Sequence, residues 1–229
     1  MRKPIYDTST LDSTNPHARL AICLCLDTSG SMQGHPINEL NAGLRLYYET
    51  LLSNTDSRRA ADIAIVSFGF SGVQCLQNFC DISITPTPPS LRADGMTPMG
   101  EAVNLALDMI ENRRQEYKRD GMQYYHPWLI LMSDGEPNGS EAEFERAASR
   151  ATDLVNRDKL FVFPIGIGRE ADMRKLERFS PKIPPAPLVG MNFKGFFEWL
   201  SISIQRISVS KPGEPVGFPS TKGWSGLFS

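Results

Sequence analysis

Leu20-Ala-Ile-Cys-Leu-Cys-Leu-Asp-Thr-Ser-Gly-Ser-Met32 passes from an unbroken apolar run into a carboxylate, a glycine and three hydroxyls. Leu20 to Leu26 shows no polar alternation, which is the pattern of a strand covered on both faces and so of the centre of a parallel sheet. Asp27, Ser29 and Ser31 follow at every second position, with Gly30 expected to let the backbone turn so that the three side chains converge. Small oxygen donors gathered at the carboxyl end of a central strand suit a hard cation, at the place where open α/β sheets bind ligands.

Working outward, Ile37, Leu40, Leu44, Tyr47 and Leu51 recur at helical spacing and predict a helix from near Pro36 to near Asn54. Ala61 to Phe68 is a second apolar strand, and Val73 to Phe79, less regular, suits a sheet edge. The proline-rich stretch Thr85 to Ser90 forbids regular structure and leads to Ala93-Asp-Gly-Met-Thr-Pro-Met-Gly-Glu101, where Pro98 fits the first turn of a helix running to Gly121. The charged part of that helix, Arg113 to Arg119, is expected to be a solvated face.

Trp128-Leu-Ile-Leu-Met-Ser-Asp-Gly135 then repeats the opening pattern, an apolar strand ending in a carboxylate and a glycine. Glu141 to Asn156 is predicted helical, Leu160 to Gly166 a strand, Glu170 to Phe179 a short charged helix, and Pro184 to Val189 at most an edge strand. An amphipathic helix over 193–208 carries Phe196, Leu200, Ile204 and Ile207 on one stripe. Strand and helix alternation of this kind predicts an α/β fold: a doubly wound, mostly parallel sheet with one antiparallel edge strand and helices on both faces. The expected organisation is an N-terminal arm over 1–18, one domain over 19–209, and a Gly- and Pro-rich tail over 210–229. Trp224 and the other tail aromatics are either a strap on the domain or a recognition segment, and both readings stay open.

With 229 residues, 41% hydrophobic and 22% charged, the chain suits one globular domain with short extra ends. The net charge of -2 supplies no field to attract nucleic acid or an anionic membrane, so neither is an expected partner. No apolar run approaches the roughly 20 residues of a membrane span, and no signal-peptide core follows the first residues, which points to a cytoplasmic protein. Cys23 and Cys25 read as small buried hydrophobes, and Cys75 and Cys80, without a Cys-x-x-Cys pair or a nearby histidine, make a poor zinc site.

Three separated loops thus offer oxygen donors: Asp27, Ser29 and Ser31; Thr97; and Asp134. Two carboxylates with small hydroxyls match the preference of Mg2+ for oxygen ligands and retained water, with Mn2+ or Ca2+ as alternatives, whereas zinc favours histidine or thiolate. Two aspartates balance a divalent charge yet supply few direct ligands, so a coordination position remains for water or an incoming anion. Taken singly, Asp27-x-Ser also reads as a helix cap and Asp134-Gly as a turn; three loops agreeing in order argue against that reading.

These motifs resemble the von Willebrand factor A domain and its metal-ion-dependent adhesion site, MIDAS: Asp-x-Ser-x-Ser at Asp27, Ser29 and Ser31, threonine at Thr97 in Gly-Met-Thr-Pro-Met-Gly, and aspartate at Asp134 in Ser-Asp-Gly. Within that superfamily Met32 to Leu44, and Tyr117 to Trp128 leading into Ser133 to Pro137, resemble the bacterial tellurium-resistance TerY group. The resemblance covers about residues 18 to 209. It implies Ser29 and Ser31 binding the ion directly, Thr97 directly or through water, and Asp27 and Asp134 through water. It also implies a non-catalytic module that captures an acidic side chain of another protein in a stress-response or defence system. Ser133 and Asn138 depart from the expected threonine and acidic continuation.

A second reading is magnesium-dependent phosphoryl transfer using Asp27, since an aspartate at a strand end beside a cation and a threonine also describes aspartyl-phosphate chemistry. Against it, 160–168 supplies no lysine and no phosphate-cradling Gly-x-x-x-x-Gly-Lys occurs. A metal-free scaffold is the third.

Overall fold

The computed structural model describes residues 17–69 and 72–225. Most of the expected N-terminal arm, and Phe228 of the tail, lie outside the described residues.

Six strands form one sheet: β1 (Leu20–Thr28), β2 (Ala61–Gly69), β3 (Gly72–Asp81), β4 (Trp128–Ser133), β5 (Phe161–Ile167) and β6 (Ala186–Leu188). Their spatial order is β3-β2-β1-β4-β5-β6, with β2 and β3 antiparallel and every other neighbour parallel. The order reverses direction at β1, so the loops after β1 and β4 flank the crevice where such sheets place ligands. The helices are α1 (His35–Ser53), α2 (Thr55–Ala60), α3 (Met99–Arg119), α4 (Glu141–Asn156), α5 (Met173–Glu177) and α6 (Phe193–Ser208).

β1 is buried at every position. Its even-numbered residues Leu20, Ile22, Leu24 and Leu26 join the core beneath α1 and α6, while Ala21, Cys23 and Cys25 join the core beneath α3 and α4. A residue's parity therefore fixes its face, and Asp27 follows Cys23 and Cys25 onto the α3–α4 side. All four cysteines are free thiols.

One element is absent from the sequence reading, and one expectation fails. Sequence periodicity gave no sign of α2, which exists because the Asn54 side chain accepts from the Ser57 N–H at 2.9 Å and starts a helical turn. The supposedly solvated tract at 113–119 is partly core: Arg113 is 2% exposed and Tyr117 0%. Both reach Asp62 of β2, itself fully buried, which also pairs with the buried Arg19. Arg113 holds the Asp62 carboxylate with its Nη2 at 2.8 Å and its Nε at 3.1 Å, and donates from Nη1 to Glu116 at 2.9 Å. A carboxylate under two guanidiniums and a phenol offsets the cost of burying them, so charge at these positions does not signal solvent.

The described part of the tail lies on α6. Trp224 is 4% exposed against Phe196 and Trp199, with ring centroids at 5.0 and 5.3 Å. The Val189 N–H donates to the Trp224 carbonyl at 3.1 Å and Trp199 Nε1 to the Pro219 carbonyl at 2.9 Å. Aromatic packing and backbone bonds thus make residues 217–225 a strap across the last helix.

Candidate metal centre

Asp27, the penultimate residue of β1, has its side chain fully buried. One carboxylate oxygen accepts from the Ser29 N–H at 2.8 Å and the other from Ser133 Oγ at 2.5 Å. The second bond follows from register: Leu26 stands opposite Met132, so the next step puts Asp27 beside Ser133, and both share the α3–α4 face. After Ser29 the chain makes a 3-10 turn over Gly30–Met32, closed by the Met32 N–H on the Ser29 carbonyl at 3.0 Å. That turn brings Ser29 Oγ and Ser31 Oγ to 3.0 Å, and Ser31 Oγ donates to Asp134 Oδ1 at 2.8 Å. Four of the five expected donors are therefore one connected group spanning β1 and β4.

Gly30, expected to be needed for the turn, is not required there for its backbone freedom. Its φ is not positive, and a Cβ there would sit 3.5 Å from the Gly95 carbonyl oxygen, an ordinary contact. What Gly30 supplies is its N–H, which donates to that carbonyl at 3.0 Å and ties the loop that carries Thr97 to the loop after β1. The Asp94 N–H on the Thr28 carbonyl, at 2.9 Å, makes a second tie.

Thr97, 4% exposed, is fixed from the other side: its N–H donates to Asn138 Oδ1 at 2.6 Å, and the Asn138 N–H returns to the Thr97 carbonyl at 3.1 Å. Glu101, in the first turn of α3, accepts from the Ser140 N–H at 2.8 Å, and a Cβ on Gly139 would stand 2.9 Å from Pro98 Cα. Backbone and side-chain hydrogen bonds thus lock the loop before α3 between the loops after β1 and β4. Ser133 and Asn138, which depart from the motif, are the groups that hold Asp27 and Thr97. The signal lay in the residue types themselves, since a serine hydroxyl can donate to a carboxylate and an asparagine amide oxygen can accept from a backbone N–H.

Burial pushes the Asp27 carboxyl up to about 6, against the pull of the Ser133 and Ser29 hydrogen bonds, and nearby Asp134 raises it further. Burial raises Asp134 too, opposed by its bond from Ser31. Among the described residues no Lys or Arg bonds either carboxylate. Two neighbouring carboxylates without a countercharge, ringed by hydroxyls, are a donor set for a hard divalent cation, which would supply the missing charge.

His35 is exposed at the first position of α1, and the His126 ring packs against Phe161 with centroids 6.0 Å apart. The Cys80 thiol lies 2.8 Å from Thr85 Oγ1. Among the described residues no three His, Cys, Asp or Glu side chains gather in a group that could hold a metal, so the candidate centre rests on hydroxyls as much as on carboxylates.

The von Willebrand factor type A domain matches residues 21–185, most of the chain, and the chain belongs to that family. The fold is similar to the von Willebrand factor type A structure from Catenulispora acidiphila, at TM-score 0.65 and 16% identity, covering 82% of this chain and 43% of that one. It is similar to the vWF domain of the type V pili tip protein Mfa5 from Porphyromonas gingivalis, at 0.62 and 12%, covering 87% and 99%. A third is proximal thread matrix protein 1 from the mussel byssus with zinc occupied MIDAS motif, at 0.55 and 18%, covering 82% and 48%. The chain spans about half the length of the mussel protein and less than half of the Catenulispora one. No curated protein matches it. At these identities the likeness shows a shared fold.

Proposed function

We propose that this von Willebrand factor type A domain is a non-catalytic protein-interaction module that captures an acidic side chain of a partner through a bound divalent cation. Asp27, Ser29, Ser31, Thr97 and Asp134 hold the ion, Mg2+ first and Mn2+ or Ca2+ as substitutes. When bound, the ion supplies positive charge and an open coordination position for the partner's carboxylate. Ser29 and Ser31 present hydroxyl oxygens toward it, while Asp27 and Asp134 balance its charge. The observation that carries this reading is the bonded chain from Ser29 through Ser31 to Asp134, across two loops some hundred residues apart in sequence. The mussel protein, with zinc in its MIDAS motif, supports the expectation that this fold places a cation there, and it adds zinc to the ions worth testing.

A phosphoryl-transfer role for Asp27 has less support, because both oxygens of that carboxylate are engaged by Ser29 and Ser133 and the side chain is fully buried. We assign the module to a tellurium-resistance-like bacterial stress-response or defence system on the TerY-like wording of 32–44 and 117–137, and to the cytoplasm, in keeping with its four free thiols. The test is capture of partners on the immobilised full chain, repeated with EDTA and with Asp27→Ala. Binding that disappears in both is expected; capture unchanged by either refutes the mechanism.

A further inference from the structure

A groove of about 340 Å3 opens between α3 and α4, lined by Leu107, Leu154 and the charged residues Glu111, Arg114, Lys118, Arg150, Asp153 and Lys159. Along α3 it begins at Leu107, roughly 15 Å from Thr97 at about 1.5 Å rise per residue, and none of its lining residues belongs to the candidate metal centre. Four cations face two carboxylates, and those carboxylates are already engaged: Glu111 accepts from Arg114 Nη1 at 2.7 Å, and Asp153 pairs with Arg157 at 2.9 Å. Arg150 is likewise held by Asp108 and Asn104. Lys118 and Lys159 have no ion pair among the described residues.

Two details make this more than a solvated basic surface. Arg114 is only 9% exposed and its Nε is buried without a hydrogen-bond partner; its Nη1 is held by Glu111, while its Nη2 has no hydrogen bond among the described residues and is the donor left for a ligand. Lys159 is placed by a fixed turn: Asp158 takes φ 52° at the end of α4, and the Lys159 N–H bonds the Leu154 carbonyl at 2.9 Å. The backbone that carries Lys159 is thereby held at the groove, across from α3 and Lys118.

We infer that the α3–α4 groove binds a phosphate dianion, with Lys118 and Lys159 as its two charge partners and Arg114 at its floor. A dianion neutralises both free ammonium groups, where a single carboxylate neutralises one, and a phosphate oxygen can also accept from a guanidinium. The ligand class is inorganic phosphate or a phosphomonoester, and the assignment is independent of the metal reading.

The test is a titration of the 15N-labelled full chain with inorganic phosphate at constant ionic strength and without added divalent cation, followed by amide shifts. O-phosphoserine in a second arm separates the two sources, the tighter ligand being the better mimic of the natural one. Saturable shifts confined to residues around 107–118 and 150–159 are expected, weakened at least tenfold in Lys118→Ala/Lys159→Ala. Both lysines are exposed, so the variant's remaining spectrum reports an intact fold. Shifts that rise without saturation, scatter over the surface, or persist unchanged in the double variant overturn the inference.

Discussion

Replacing Asp27 by asparagine should stabilise the cation-free domain while abolishing cation binding, an unusual outcome for a fully buried polar position. Burial raises the Asp27 carboxyl from 3.8 to about 6. A raised folded-state value means the native state favours the protonated form, so the fold loses stability as pH rises from about 4 to about 6 and keeps that loss above it. At 1.36 kcal/mol per pH unit, the ionised carboxylate costs about 3 kcal/mol near pH 7.5. Asparagine carries no charge, its Oδ1 can keep the Ser29 N–H, and Ser133 Oγ can accept from its Nδ2 in place of donating. The expected gain is about 3 kcal/mol at pH 7.5, falling to about 1 kcal/mol at pH 4.5, where most of the wild-type group is already protonated. For a chain of this size that corresponds to about 6–12 °C in Tm at the higher pH. Urea unfolding of both proteins in EDTA at the two pH values measures it, since other titrations cancel in the difference. Saturating Mg2+ should then recover the wild type alone, by about 2.7 kcal/mol at a hundred times Kd. A variant no more stable at pH 7.5, or a gain equal at both values, refutes the reasoning.

Cation affinity should be flat above about pH 6 and fall about tenfold per unit below it as protons compete for Asp27, measured by Mn2+ titration across pH. Asp62→Ala should cost about 3 kcal/mol in chemical denaturation, because it removes the buried carboxylate that Arg19 and Arg113 share and leaves them only Asp81 and Glu116 at its margin. Gly100→Ala should destabilise by more than 1 kcal/mol: its Cβ would stand 2.4 Å from the Phe144 backbone nitrogen, forcing α3 and α4 apart. Trp224→Ala should lower stability by about 3 kcal/mol and free 217–225 to proteolysis, since that side chain anchors the strap.

The sheet was legible because buried parallel strands announce themselves as unbroken apolar runs, and Leu20 to Leu26, Ala61 to Phe68 and Trp128 to Met132 contain little else. The donors of the candidate centre were legible because each follows such a run or opens a helix. Less visible were features that depend on partners distant in sequence. Arg113 looks solvated until Asp62 is placed 51 residues away, beneath it on the same sheet face. Ser133 and Asn138 look like motif defects until strand register and loop closure bring them to Asp27 and Thr97. Helix α2 escaped because a capped turn needs no hydrophobic period.

The central claim is that oxygens from three loops hold one divalent cation. Calorimetric titration of Mg2+ and Mn2+ into the full chain, wild type against Ser29→Ala/Ser31→Ala, tests it most directly. One ion per wild-type chain is expected, with binding lost in a variant whose circular dichroism is unchanged; equal affinity in both proteins, or no binding to the wild type, contradicts it.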